Sequence, residues 1–139
     1  MISTVEKVLF LKSVPLFKEI PGEDLAQIAA IADQIEFKSN EMVFKEGDIG
    51  EALYIICEGK VRIHRGEKTL VELSERECFG EMSILDSEPR SASVTTSCEL
   101  MTLKIQREDF VEIMAAKSEI AFGIIKVLTH RLREANKRS

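Results

Sequence analysis

An acidic and a basic residue stand nine positions apart in this sequence, each beside small residues, and together they could hold a small anionic ligand. Gly80 directly precedes Glu81, and Arg90 is followed by Ser91 and Ala92. A guanidinium offers a fork of N–H donors that matches a phosphate group, and a carboxylate accepts hydrogen bonds from sugar hydroxyls. Alone, each charge would be interpreted as a solvated surface residue. Together they indicate a ligand with both an anionic phosphodiester and a sugar hydroxyl.

The residues around this pair also favour an anion. The chain has a formal net charge of −5, so a bound phosphate needs a locally positive site. Gly80 lets the backbone approach a ligand, and residues 82–86 are long enough for one helical turn, whose first N–H groups attract anions. Pro89 fixes φ and directs the chain into the next strand. The Ser91 hydroxyl can donate to the ligand, and Ala92 is too small to block it.

The elements that must position these residues form a β region between two helical ones. Ser3 and Glu6 have the spacing of a capping box and predict a first helix, and a second helix is predicted after Gly22. Over residues 35–106 the apolar period becomes two, with glycines at turn-like intervals, which indicates several short strands. Helical spacing returns over residues 107–139.

This order predicts an α+β fold that is mainly β. We expect an antiparallel β-roll, of the double-stranded β-helix or jelly-roll type, flanked by N-terminal helices (1–34) and a C-terminal helix pair (107–139). A chain of 139 residues is long enough for one domain with a real core. We therefore predict a single domain over residues 1–139, with the candidate site in residues 79–94 of the roll.

The composition argues against several classes of function. The three cysteines have no close pairs and the two histidines lie in no metal-ligand pattern, so neither a metal site nor a histidine-assisted nucleophile is expected. An enzyme is therefore the least expected class. No apolar run approaches the ~20 residues that span a bilayer, and the N-terminus lacks the charged head of a signal peptide. We predict a cytoplasmic protein with no membrane segment and with reduced thiols.

Two motifs resemble those of the cyclic nucleotide-binding domain family. "FGEMSILDSEPRSASV" is similar to its phosphate-binding cassette, which is apolar-Gly-Glu-x-small-apolar, a short gap, then Arg-small-Ala-x-apolar. Upstream, "EGDIGEALYIICEGKVRI" resembles the family's other signature, Gly-Asp-x-Gly followed by four apolar residues and a glycine. With the helices at each end, the resemblance covers essentially the whole chain. Two ordered motifs are far more specific than one glycine pattern.

The resemblance implies a set of ligand-binding residues: Gly80, Glu81, Met82, Ser83, Arg90, Ser91, Ala92, Ile63 and Leu73. Glu81 and the Gly80 backbone would hold the ribose 2′-OH, and Arg90 would pair with the cyclic phosphate. The phosphate site would also include backbone N–H groups, those of Met82, Ser83, Ser91 and Ala92. Ile63 and Leu73 would face the base. The implied ligand is cyclic AMP or cyclic GMP, without a metal, and we expect cyclic AMP as the commoner bacterial ligand of the family.

The last helix carries two apolar stripes. One has heptad-like spacing and consists of Ala121, Ile125, Leu128, Leu132 and Ala135. The other flank consists of Ile120, Ile124 and Val127. One stripe could pack on the roll while the other meets the helix of a second copy across residues 121–135 or closes over the base. Alternatively, both form a single wide stripe that faces the core.

These observations leave three functional hypotheses. The first is a sensor module in which ligand capture by Glu81 and Arg90 repositions the C-terminal helices. The second is the sensor part of a DNA-binding regulator or of a larger signalling or transport protein. The third is a dimerisation domain that is indifferent to ligand. Because the chain is acidic and stops at Ser139, soon after the last helix, we expect no direct DNA binding from it.

Overall fold

A computed structural model describes the chain over residues 2–84 and 86–138. Its first elements are helix α1 (Thr4–Lys12), a 3₁₀ helix (Pro15–Phe17) and helix α2 (Gly22–Ile31). The predicted capping box is confirmed, because the Glu6 N–H donates to Ser3 Oγ at 3.1 Å and the Ser3 N–H donates to the Glu6 carboxylate at 3.2 Å. The α1 helix is less buried than its apolar residues suggest, since Leu11 is its buried residue while Val5 and Leu9 are exposed.

Eight strands lie in the part of the chain that the structure describes. They are β1 (Ala32–Phe37), β2 (Met42–Phe44), β3 (Ala52–Glu58), β4 (Val61–Arg65), β5 (Lys68–Leu73), β6 (Cys78–Phe79), β7 (Ser93–Thr96) and β8 (Leu100–Gln106). One sheet has the order β1-β8-β3-β6 and the other β2-β7-β4-β5, and neighbouring strands pair antiparallel in both. The predicted antiparallel β-roll with flanking helices is confirmed. The first strand begins at Ala32, three residues before the point where the period-two pattern becomes visible.

The chain ends in helices α3 (Arg107–Ala116) and α4 (Ser118–Lys137), separated by Lys117. Within the described residues, no helix is both long and apolar enough to cross a membrane. Lys117 lies 4.0 Å from the carboxylate of Asp24, a nearly buried residue at the start of α2. The junction between the last two helices is therefore tied to the N-terminal helices.

The core consists of two clusters. The helix-facing cluster lies between one sheet and the helices and contains Leu11, Val14, Leu16, Phe17, Ile20, Leu25, Ile28, Ala29, Ala32, Leu53, Ile55, Cys57, Leu103, Ile105, Phe110, Ile120, Ile124 and Val127. The inter-sheet cluster contains Ala52, Tyr54, Ile56, Val61, Phe79, Val94 and Leu100. Successive residues of β3 go alternately to the two clusters, because side chains on a strand point to opposite faces. This strand is therefore buried on both faces.

Helix α4 uses only one of its two apolar stripes for the core. The flank at 120, 124 and 127 is buried in the helix-facing cluster, whereas Ile125, Leu128 and Leu132 are 51%, 38% and 62% exposed. The interpretation of a single wide core-facing stripe is therefore wrong. Gly123 packs closely on the segment before α2, since a Cβ at this position would lie 2.9 Å from the Glu19 carbonyl oxygen.

Candidate functional site

Three separate elements hold the side chain of Arg90. Its Nη2 donates to the carbonyl of Ala52 at 2.9 Å, and its Nη1 makes a longer contact of 3.5 Å with the carbonyl of Gly80. The guanidinium carbon lies 3.9 Å from the centroid of the Phe44 ring, in a cation–π arrangement. These contacts fix the plane of the guanidinium before any ligand arrives.

Arg90 remains cationic although it is partly buried. Burial lowers the pKa of Arg90, while Tyr54, Asp48 and Glu81 act in the opposite direction. Because the ordinary pKa of an arginine lies far above neutral pH, the guanidinium stays charged at pH 7. Arg90 therefore places a positive charge in the cavity wall of an acidic chain.

The two sequence motifs meet in space at this point. The Arg90 N–H donates to the carbonyl of Asp48 at 2.6 Å, and the Gly47 N–H donates to the carbonyl of Arg90 at 2.9 Å. An isolated β-bridge joins Ile49 to Pro89. The Gly-Asp-x-Gly motif therefore holds the backbone on one side of the cassette arginine, which explains in physical terms why both motifs occur together.

Gly80 is required by conformation and by space. Its φ is +80°, in the left-handed region where residues with a Cβ are strained. A Cβ built at this position would lie 2.7 Å from Arg90 Nη1 and 2.8 Å from the Ala52 carbonyl oxygen. Any larger residue would push directly on the guanidinium. The glycine thus sets the distance between the chain and Arg90.

A cavity of about 630 Å³ opens beside Arg90, a size typical of small-molecule sites. Eight of the nine predicted ligand-binding residues line it: Gly80, Glu81, Met82, Arg90, Ser91, Ala92, Ile63 and Leu73. For the ninth, Ser83, the backbone lies in a 3₁₀ helix and the side chain lies outside the described residues. The structure brings the predicted set together, while their role as ligand contacts stays a prediction.

Glu81 begins a short 3₁₀ helix (Glu81–Ile84), which takes the place of the helical turn predicted over residues 82–86. Its side chain is half-buried and lines the cavity with Arg90. With the described side chains, which do not include those of residues 83–85, the Glu81 carboxylate makes no hydrogen bond or ion pair. The described side chains therefore leave this cavity-lining carboxylate able to accept hydrogen bonds from a ligand.

The cavity also includes side chains that the sequence patterns did not point to. Phe44 forms the platform under Arg90, and Val71 extends the apolar wall around Ile63. Arg131 reaches the cavity from α4, and Arg76 reaches it from the turn between β5 and β6. No spacing in the sequence indicates this position of Arg131, which depends on the packing of α4 against the first 3₁₀ helix (Pro15–Phe17) and α3.

Burial favours the protonated form of two thiols, Cys57 and Cys78. Burial raises the pKa of Cys57 to about 11, with Glu58 and Glu75 adding to the effect. Burial also raises the pKa of Cys78, a cavity-lining residue, to about 12, with Glu81 adding to this and Arg131 opposing it. Thiols are nucleophilic only as thiolates, so neither cysteine is activated at neutral pH.

Comparison with known proteins identifies the family. Residues 34–117 match the family described as "Cyclic nucleotide-binding domain". This chain belongs to that family. The matched residues include the β-roll from the third residue of β1 onward, both sequence motifs and helix α3, so the resemblance drawn from the two motifs is confirmed.

Relatives of several kinds contain this domain. The chain is 34% identical over 131 residues to the Cyclic AMP receptor protein of Thermus thermophilus, covering 91% of this chain and 61% of that protein. It is 32% identical over 113 residues to a cAMP-dependent protein kinase regulatory subunit of Emericella nidulans, covering 80% and 27% respectively. The N-terminal domain of a transcriptional regulator from Streptomyces coelicolor superposes with a TM-score of 0.83 at 29% identity, covering 93% of this chain and 94% of that domain. The chain thus spans less than two thirds of the length of each of these two curated relatives.

Proposed function

We propose that this domain is a sensor that binds a cyclic nucleotide at the cavity beside Arg90. The observation that carries the proposal is that Arg90, Glu81 and Gly80 converge on one cavity, within a chain of net charge −5. The output is a change of conformation rather than a chemical reaction, in keeping with a regulatory family. The three free cysteines support a location in the reducing cytoplasm.

The cyclic phosphate binds at Arg90. The guanidinium is fixed by Ala52, Gly80 and Phe44, so little side-chain entropy is lost when a phosphate arrives. A phosphate oxygen then accepts charge-assisted hydrogen bonds, which are about twice as strong as neutral ones. The backbone N–H groups of Met82, Ser83, Ser91 and Ala92 and the Ser91 hydroxyl complete the phosphate site.

The ribose binds at Glu81. A carboxylate repels the phosphate, so this residue is suited to the neutral part of the ligand that carries hydroxyl donors. Its oxygens accept a hydrogen bond from the 2′-OH, which distinguishes a ribose from a deoxyribose. The Gly80 backbone lies beside it in the same cavity wall.

The base lies against the apolar wall of Ile63, Val71 and Leu73. This wall offers little hydrogen bonding and does not by itself distinguish adenine from guanine. We propose cyclic AMP as the ligand because the Thermus thermophilus and Emericella nidulans relatives are named for it. Cyclic GMP is the second candidate.

Calorimetric titration with cyclic AMP and cyclic GMP tests the proposal. Replacing Arg90 with methionine removes the charge-assisted bonds to phosphate, at about 1.5–3 kcal/mol each, and should weaken binding about a hundredfold or more. Glu81→Gln should weaken binding roughly tenfold, because one charge-assisted bond to the ribose becomes neutral. Arg62→Met, which removes a charge from β4 outside the cavity, is the matched control and should bind as wild type. No binding of either nucleotide by wild-type protein would refute the proposal.

Binding is transmitted through α4. Arg131 on this helix lines the cavity, so a ligand that contacts it favours one position of the helix over another. Hydrogen exchange should slow in α4 when cyclic AMP is bound, with a smaller change in α2. Equal exchange in α4 with and without saturating ligand would contradict this output.

We also propose that the exposed stripe of α4 pairs with the same stripe of a second copy. Ile125, Leu128 and Leu132 follow the 3,4 spacing of a coiled-coil seam and remain exposed while the other flank is buried. In sedimentation equilibrium, wild type should dimerise and Leu132→Glu should be monomeric. A dimer that forms equally well without any nucleotide binding would instead support the ligand-independent interaction domain.

A further inference from the structure

The backbone of the cassette is held on a second side, by a residue outside the cavity. Arg65, the last residue of β4, donates from Nε to the carbonyl oxygen of Ser91 at 3.0 Å. The β4–β7 register pairs His64 with Ser93, which places Arg65 beside the chain just before β7. Arg65 does not line the cavity, although Ser91 and Ala92 both do.

The geometry of the peptide bond gives this contact a consequence. In a trans peptide the C=O and the next residue's N–H lie in one plane and point in opposite directions. The contact from Gly47 to the Arg90 carbonyl therefore fixes the direction of the Ser91 N–H. In the same way, the contact from Arg65 to the Ser91 carbonyl fixes the direction of the Ala92 N–H.

We infer that Arg65 is a positioning residue for the phosphate site, acting through the Ser91–Ala92 peptide. The inference rests on the proposed function, in which the Ser91 and Ala92 N–H groups donate to the cyclic phosphate. Without the guanidinium, the Ser91 carbonyl can rotate toward water and the Ala92 N–H turns with it. Arg65 also adds a positive charge beside the cassette without occupying ligand space, which strengthens the attraction for an anion.

Affinity measurements on variants of Arg65 test this role. Arg65→Met should weaken cyclic AMP binding about three- to tenfold, the effect of one exposed charge-assisted hydrogen bond. Arg65→Lys keeps a donor and the charge, and should recover part of that loss. The matched control is Arg62→Met, on the same strand, which should bind as wild type.

The two phosphorothioate diastereomers of cyclic AMP distinguish positioning from a general loss of stability. In each, sulfur replaces a different exocyclic oxygen, so their affinity ratio reports where the donors point. Arg65→Met should change that ratio at least threefold, whereas a merely destabilised domain would lose affinity for both in equal proportion. An unchanged ratio and wild-type affinity in Arg65→Met would overturn the inference while leaving the proposed function intact. Failure of wild type to bind any of these nucleotides would overturn both.

Discussion

The two core clusters share strand β3 but have different surroundings. The helix-facing cluster is aliphatic apart from Phe17 and Phe110, whose ring centroids lie 6.2 Å apart, and it closes the helices on the sheet. The inter-sheet cluster is rich in aromatic rings, with Tyr54 stacked on Phe79 at 5.1 Å. Among the described residues, no buried member of the helix-facing cluster lines the cavity, whereas Phe79 and Val94 of the inter-sheet cluster do, together with its partly buried neighbour Phe44.

This difference indicates that one set of core residues stabilises the fold while another set also supports the candidate binding site. Residues that contact only each other can be optimised for packing, and the helix-facing cluster is of this kind. The inter-sheet cluster must also support a cation, and the ring of Phe44 does so directly. Substitutions in the two clusters should therefore change different measured quantities.

The largest expected effect is on stability, from the helix-facing cluster. Phe110 is fully buried, and Phe110→Ala should lower the free energy of unfolding by about 3–5 kcal/mol. The remaining folded protein should keep its nucleotide affinity, because Phe110 does not line the cavity. Phe44→Ala should do the reverse, with a smaller loss of stability and weaker binding. Urea unfolding and calorimetry on both variants measure this contrast, which a parallel loss of both quantities would break.

Gly80→Ala should weaken binding and stability together, because it acts where the inter-sheet cluster meets the site. The left-handed backbone costs roughly 1–2 kcal/mol with a Cβ, and the added methyl displaces the Arg90 guanidinium. Gly66→Ala is the matched control, since its φ is also positive but a Cβ there meets nothing within 4 Å. Both variants should lose stability in urea unfolding, and only Gly80→Ala should lose nucleotide affinity. Equal affinities would show that Arg90 tolerates the methyl.

Alkaline pH should destabilise the domain through its buried thiols. The pKa of Cys57 rises from 9 to about 11 on folding, so between these values the unfolded chain releases a proton that the folded chain keeps. The stabilisation is complete below pH 9 and is lost as the pH rises toward 11. Urea unfolding at pH 8 and pH 10 should show this fall, and Cys57→Val should reduce it. If the variant falls as steeply as wild type, other groups dominate the alkaline loss.

The smallest expected effect concerns Arg76, whose φ of +72° is unfavourable for a residue with a Cβ. Arg76→Gly should raise the free energy of unfolding by no more than about 1 kcal/mol, because relief of the backbone is offset by loss of the 3.1 Å bond from Nε to Ser13 Oγ. Asn40→Gly is the control, since asparagine adopts positive φ more readily and has less to gain. Thermal melting compares them. A clear loss of stability in Arg76→Gly would mean that the Ser13 contact outweighs the backbone strain.

The sequence predicts most of the structural features that depend on residues close together in the chain. The capping box of α1, the start of α2 and the alternating strands depend on neighbouring residues, and the structure confirms them. The cassette residues also come together as predicted, because Gly80 and Arg90 are joined by a short connection. Strand β6 has only two residues, so no alternating pattern in the sequence indicates it.

Contacts between distant segments could not be predicted in the same way. Phe44 lies under Arg90 because β2 pairs with β7, and Arg131 reaches the cavity because α4 packs on the N-terminal segment. No spacing in the sequence encodes either contact. For α4, two apolar stripes were visible, but only the packing decides that one is buried and the other exposed.

In the proposed output, the close contact between Gly123 and the Glu19 carbonyl is the point about which α4 tilts. From Gly123 the helix continues to Lys137, a length of about 21 Å at 1.5 Å per residue. Arg131 lies between Gly123 and the C-terminal end of the helix. A small tilt caused by a ligand at Arg131 would therefore displace the helix end further than it displaces Arg131. Whatever follows the helix end in a longer protein would therefore receive a larger displacement than the ligand itself produces.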